Sequence, residues 1–155
     1  MNSPLIASDN TSAIDAGELS PAVAMILHRW HIQDIVADVV KASGPMSAGI
    51  ERLCAGLEAY WESAFARRGM RRMVEQTAHD HKLLRRVDSM GKPFCLLIEL
   101  ELKVSGWVMP GKKARIIFDQ ARAIMLEEVE TGRRSLRREQ LLSMIPQIVA
   151  SEQAG

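Results

Sequence analysis

The chain has 155 residues, a length that suits one domain, and 47% of them are hydrophobic, enough for a proper core. A domain of this size buries roughly 68–70% of the surface of its unfolded chain. Twenty Lys and Arg balance nineteen Asp and Glu for a net charge of +1, which argues against a dedicated nucleic-acid polyelectrolyte. No apolar run reaches the roughly 18 residues of a membrane span.

Residues 1–19 are rich in Ser, Asn, Asp and Ala and lack the basic and apolar blocks of a signal peptide, so a mobile N-terminal arm and a cytoplasmic location are expected. Ser20-Pro21 is a helix start, with Ser as cap and Pro in the first turn. That helix is predicted over Pro21–Ala42, with Val23, Leu27, Trp30, Ile35, Val39 and Val40 as its apolar surface, and Ser43-Gly44-Pro45 as its end. Ile50, Leu53, Cys54, Leu57, Trp61, Ala64 and Phe65 hold one face of the next helix to about Arg68, where Gly69 is expected to break it. A shorter helix, Met70–His79, turns Met70, Met73, Val74 and Thr77 inward.

Lys82–Met90 also reads as helical, and Gly91-Lys92-Pro93 interrupts it. Phe94–Ser105 then follows with Phe94, Leu97, Ile98 and Leu102 on one face, and Gly106 closes it. The apolar run Phe94–Leu100 has no strand partner elsewhere, so helix is preferred over strand.

Pro110–Ser151 reads as a long helix, a Thr131-Gly132 turn and a second helix capped by Ser135. Ala114, Ile117, Phe118, Ala121, Ile124, Met125 and Val129 form a broad stripe, and Ile116 and Leu126 add apolar surface on other sides. Such a pair is buried either in its own chain or against a partner. The expected dimer contacts are Ile117, Phe118, Ala121, Met125, Leu141, Ile145 and Ile148. Pro146 is expected to kink or end the last helix. The fold class is all-α, an antiparallel bundle of about six to seven helices over residues 20–152.

Chemistry-bearing patterns are few. Cys54 and Cys95 read as buried thiols. His28/His31 and His79/His81 lack a Glu or Cys that completes a known spacing, so no metal site is expected. No phosphate loop, nucleophile elbow or Cys-His pattern emerges, so neither an enzyme nor a cofactor is expected. The arginine clusters at 67–72 and 133–138 lack interleaved aromatics and read as solvated faces. Trp61, Phe65, Met73, Met90, Phe94, Ile98 and Trp107 are candidates to line a cavity for a small apolar ligand, and Glu101 is a candidate polar contact there.

From Ile50 to Val149, roughly two thirds of the chain, the sequence resembles the C-terminal ligand-binding and dimerisation domain of TetR-type transcriptional regulators. The resemblance rests on a long helix at Gly49–Arg68, an arginine-rich corner at Arg67–Met73, and two final helices at Lys112–Thr131 and Leu136–Ser151. It implies a homodimer paired through those last helices as a four-helix bundle, and a ligand-controlled regulator. About 20 residues precede the first helix, so the first helices of that family's helix-turn-helix cannot be fitted and direct specific DNA binding is not expected. Two other functions remain open: sequestering a full-length regulator by mixed dimerisation, and DNA binding through Pro21–Ala42 or the arginine corner.

Overall fold

The computed structural model describes residues 20–77 and 91–154, with side chains at 20, 22–73 and 91–147. The expectations for the N-terminal arm, for Lys82–Met90 and its Met90, for His79 and His81, and for the side chains of Val74, Thr77 and Ile148 lie outside that set. All regular structure among the described residues is helical, with no strand. In chain order the helices are α1 (Pro21–Ser43), α2 (Ile50–Ala66), α3 (Arg68–Thr77), α4 (Lys92–Val104), α5 (Pro110–Thr131) and α6 (Arg137–Ala154). None is long and apolar enough to cross a membrane.

Local chemistry sets most of the helix ends. The Ser20 hydroxyl accepts the Val23 N–H, and Pro21 occupies the first turn of α1. At the other end Ser43 Oγ donates to Val39 O, and Gly44 keeps a right-handed conformation, so Pro45 and not a left-handed glycine stops the helix. Pro93 sits in the first turn of α4, which begins at Lys92. Gly132, at φ 70°, takes the left-handed cap of α5 and donates to Glu128 O. Arg72 of α3 reaches the same end and donates to Val129 O and Glu130 O, carbonyls that the helix itself leaves open. Ser135 Oγ accepts the Arg137 N–H at the start of α6.

Three expectations are corrected. The break after α2 falls at Arg67, whose guanidinium bonds Asp38 and Ser63, and Gly69 lies within α3. On α3 it is Arg71 that is buried, while Met70 is exposed. Helix α6 continues through Pro146, which is exposed, to Ala154. The proline removes one backbone donor on the solvent side and does not stop the helix there.

Helix α1 packs on α2 and α3, α4 packs on α5, and α2 lies against α4 and α5. The buried stripe of α1 is Ala24, His28, His31, Ile35 and Val39, while Val23, Trp30 and Val40 are exposed. The apolar face expected for this helix was therefore only partly its buried one. Helix α2 follows its stripe closely: Leu53, Leu57, Trp61 and Ala64 are buried. Trp61 is fully enclosed and its Nε1 donates to Ala121 O at 2.9 Å, tying α2 to the middle of α5.

The α5–α6 pair closes the core of its own chain. Ile117, Ala121, Met125, Leu141 and Ile145 are 0–7% exposed and belong to the intrachain cluster, so they are not free to meet a partner. They pack there against the apolar residues of α2 and α4, and a polar clamp lies beneath the turn. Glu128, 1% exposed, accepts from Arg138 Nε and Nη2, each at 2.6 Å, and from the Ser135 N–H at 2.7 Å. Arg138 Nη1 reaches Glu62 at 2.6 Å, and Arg134 bonds Glu62 through Nε and Nη2 at 2.8 and 3.0 Å. Arg138, covered although its cluster was expected to be solvated, thus pins α6 to α2, and Arg134, exposed in the preceding turn, adds a second link to Glu62. They hold the Glu62 carboxyl at about 2, chiefly through the Arg134 hydrogen bond.

Candidate ligand-binding cavity

Near the C-terminal end of α1, the first turns of α2 and the length of α4 leave a cavity of about 280 Å³. Val39, Leu53, Leu57 and Ile98 supply its aliphatic wall. Tyr60, Phe94 and Phe118 supply an aromatic one. Tyr60 and Phe94 lie 5.2 Å apart between ring centroids, and Phe94 and Phe118 stack at 6.2 Å with 13° between their planes. Exposed Val40, Gly44 and Leu97 border the mouth.

The polar end is built by a long-range contact. Glu101 of α4 accepts the N–H of Gly49 at 2.6 Å, and its second oxygen lies 3.6 Å from Arg52. Gly49 has φ 110°, which favours glycine, and a Cβ there would come within 2.8 Å of Ser105 Oγ. The carboxylate therefore caps the start of α2, where the helix dipole favours negative charge. Arg52 Nε and Nη2 are turned onto Met46 O at 3.2 and 2.9 Å. Burial pushes the Tyr60 hydroxyl up to about 12, so it stays neutral.

Of the residues expected to line a cavity, Phe94, Ile98 and Glu101 do so. Trp61 and Trp107 are instead core residues, the first bonded to α5 and the second with Lys113 Nζ 5.2 Å from its ring centroid. Phe65 is covered by the guanidinium groups of Arg68 and Arg134 at 4.5 and 4.9 Å. Met73 is half-buried on α3 and does not border the cavity. Phe118, expected at a dimer interface, lines it. Val39, Leu53, Leu57 and Tyr60 were missed as cavity residues. The sequence signal available for them was that α2 places a tyrosine one turn from Leu57 on its buried face.

Elsewhere, His28 and His31 lie 6.2 Å apart between ring centroids inside the α1 contact. Burial, reinforced by Arg71 and Arg67, lowers His31 to about 4. Among the described residues no group of three or more His, Cys, Asp and Glu is placed to hold a metal ion. Burial raises both thiols, Cys54 with help from Glu58 and Cys95 with help from Glu99 and Asp119, and so disfavours the nucleophilic thiolate. In chemical terms the cavity can bind and orient a mainly apolar molecule. No known protein family, curated protein or solved structure matches the chain.

Proposed function

We propose that this chain is a TetR-like regulatory domain that binds a small, mainly apolar ligand in the cavity between α1, α2 and α4. The observation that carries the reading is an aromatic and aliphatic pocket of about 280 Å³ with one polar end. An apolar cavity of about 150 Å³ takes up benzene. The pocket here suits a molecule roughly twice that size, such as a fused bicyclic compound or a medium-length acyl chain. A polar substituent would lie toward Arg52 and Glu101. The walls belong to different helices, so a ligand that fits one packing of α1 against α4 better than another shifts the population between them. That shift is the regulatory output.

The test is a melting-temperature screen of bicyclic aromatic and medium-chain compounds, followed by calorimetric titration of any hit. A ligand present at 100 times its dissociation constant adds about 2.7 kcal/mol. At about 2–4 °C per kcal/mol, the melting temperature should rise by roughly 5–11 °C. Leu97→Trp, which adds bulk at the mouth without touching the buried core, should abolish the shift. A flat screen, or hits that bind Leu97→Trp equally well, would refute the proposal.

A further inference from the structure

The polar end of the cavity presents one donor and one acceptor side by side. Arg52 and Glu101 are the charged residues of its lining. Arg52 donates through Nε and Nη2 to Met46 O, which fixes the plane of the guanidinium and leaves Nη1 over. Glu101 commits Oε2 to the Gly49 N–H and has Oε1 left. These two remaining atoms stand 3.6 Å apart, too far for a hydrogen bond, and neither bonds another of the described residues. The Glu101 side chain is only 16% exposed, so unmet bonding capacity there is costly. The Ser43 hydroxyl, also in the lining, donates to Val39 O and offers no proton inward.

We infer, resting on the ligand site proposed above, that its occupant is uncharged and carries a primary carboxamide or a lactam. The C=O accepts from Arg52 Nη1 and the N–H donates to Glu101 Oε1. With C=O near 1.23 Å and C–N near 1.33 Å, the oxygen and nitrogen of an amide lie about 2.3 Å apart. Bonds of about 2.9 Å to groups 3.6 Å apart then need only a slight splay. Donor and acceptor must leave the same side of the ligand. A primary amide and a lactam meet that condition. An ordinary secondary amide is trans and sends its N–H away from its C=O.

Charge disfavours the alternatives. Arg52 and Glu101 neutralise one another, and the remaining walls are aliphatic and aromatic. A carboxylate drawn to Arg52 stands against Glu101, and an ammonium drawn to Glu101 stands against Arg52. Either leaves an excess charge beside an apolar wall, which a neutral amide avoids. The amide also meets the donor and the acceptor together, where an alkyl or aryl group would meet neither.

Calorimetric titration of the full chain with five bicyclic probes of similar size tests this. 2-Quinolinone is the lactam, and N-methyl-2-quinolinone lacks its N–H. 2-Naphthoate and 2-naphthylmethylammonium carry a charge, and naphthalene reports on the apolar walls alone. 2-Quinolinone should bind tightest, with each of the others at least about tenfold weaker, the usual cost of one hydrogen bond to a charged group. Glu101→Gln keeps an amide oxygen for the Gly49 N–H and exchanges the free acceptor for a donor. It should weaken 2-quinolinone by about tenfold and tighten 2-naphthoate by as much. Arg52→Gln should instead tighten 2-naphthylmethylammonium by about tenfold. If naphthalene binds and 2-quinolinone is no tighter, or if Glu101→Gln does not turn the preference toward 2-naphthoate, the amide is overturned while the cavity remains a ligand site. Binding by none of the five overturns both.

Discussion

Arg138→Leu probes the clamp that makes α5 and α6 part of one core. The substitution leaves the Glu128 carboxylate 1% exposed and strips it of two of its three hydrogen bonds, retaining only the Ser135 N–H. It also removes the Arg138 bond to Glu62 and the guanidinium 5.7 Å from the Trp61 ring centroid. Removing one partner of a buried ion pair typically costs 3–5 kcal/mol, because the remaining charge is enclosed without compensation. Total stability is expected near 5–15 kcal/mol, so a large share of it is at stake. At about 2–4 °C per kcal/mol, the melting temperature should fall by roughly 6–20 °C. Glu128→Leu with Arg138→Leu removes both charges, and apolar replacement of a buried pair is often neutral. The double variant still loses the Ser135 contact, worth about 1 kcal/mol. It should nevertheless be at least about 2 kcal/mol more stable than Arg138→Leu alone. Urea titration followed by circular dichroism, with the slope checked for constancy, measures both. A loss below about 1 kcal/mol for Arg138→Leu, or a double variant no more stable than Arg138→Leu alone, would refute the reasoning.

Two further outcomes follow from buried groups and backbone geometry. His31 is lowered from 6.5 to about 4, so between those values the unfolded chain binds a proton that the folded chain does not. Stability should therefore be full above pH 6.5 and decline as pH falls toward 4, by roughly 3 kcal/mol at most. His31→Leu should flatten that slope in melting curves taken from pH 4 to 7, and an unchanged slope would remove His31 as its source. Gly132 holds φ 70° with open space around it, so Gly132→Ala tests conformation alone; it should cost about 1–2 kcal/mol in urea titration, and a neutral result would refute the left-handed cap.

The features legible in the sequence are those decided within a turn or two of chain. Ser20-Pro21 opens α1, Thr131-Gly132 closes α5, and Ser135 caps α6, because a cap needs only a side chain or a left-handed residue beside the orphan backbone groups it serves. The stripe of α2 was legible because its apolar residues share one face. Where a helix is apolar on several sides, periodicity does not say which side is covered. That ambiguity misplaced the α1 face, hid the exposed stripe of Leu96, Leu100 and Val104 on α4, and made the α5 stripe read as an interface when it packs in the core of its own chain.

Helix content and the order of the elements were thus determined by the chain itself, through local propensity, caps and spacing. The tertiary structure alone decided which arginines are buried, where the cavity lies and which stripe remains outside. Those outcomes depend on contacts between residues far apart in the chain: Glu101 with Gly49, Trp61 with Ala121, Arg138 with Glu62. Each is fixed by how two helices cross. A crossing is set by the summed packing of many side chains, which no single segment encodes.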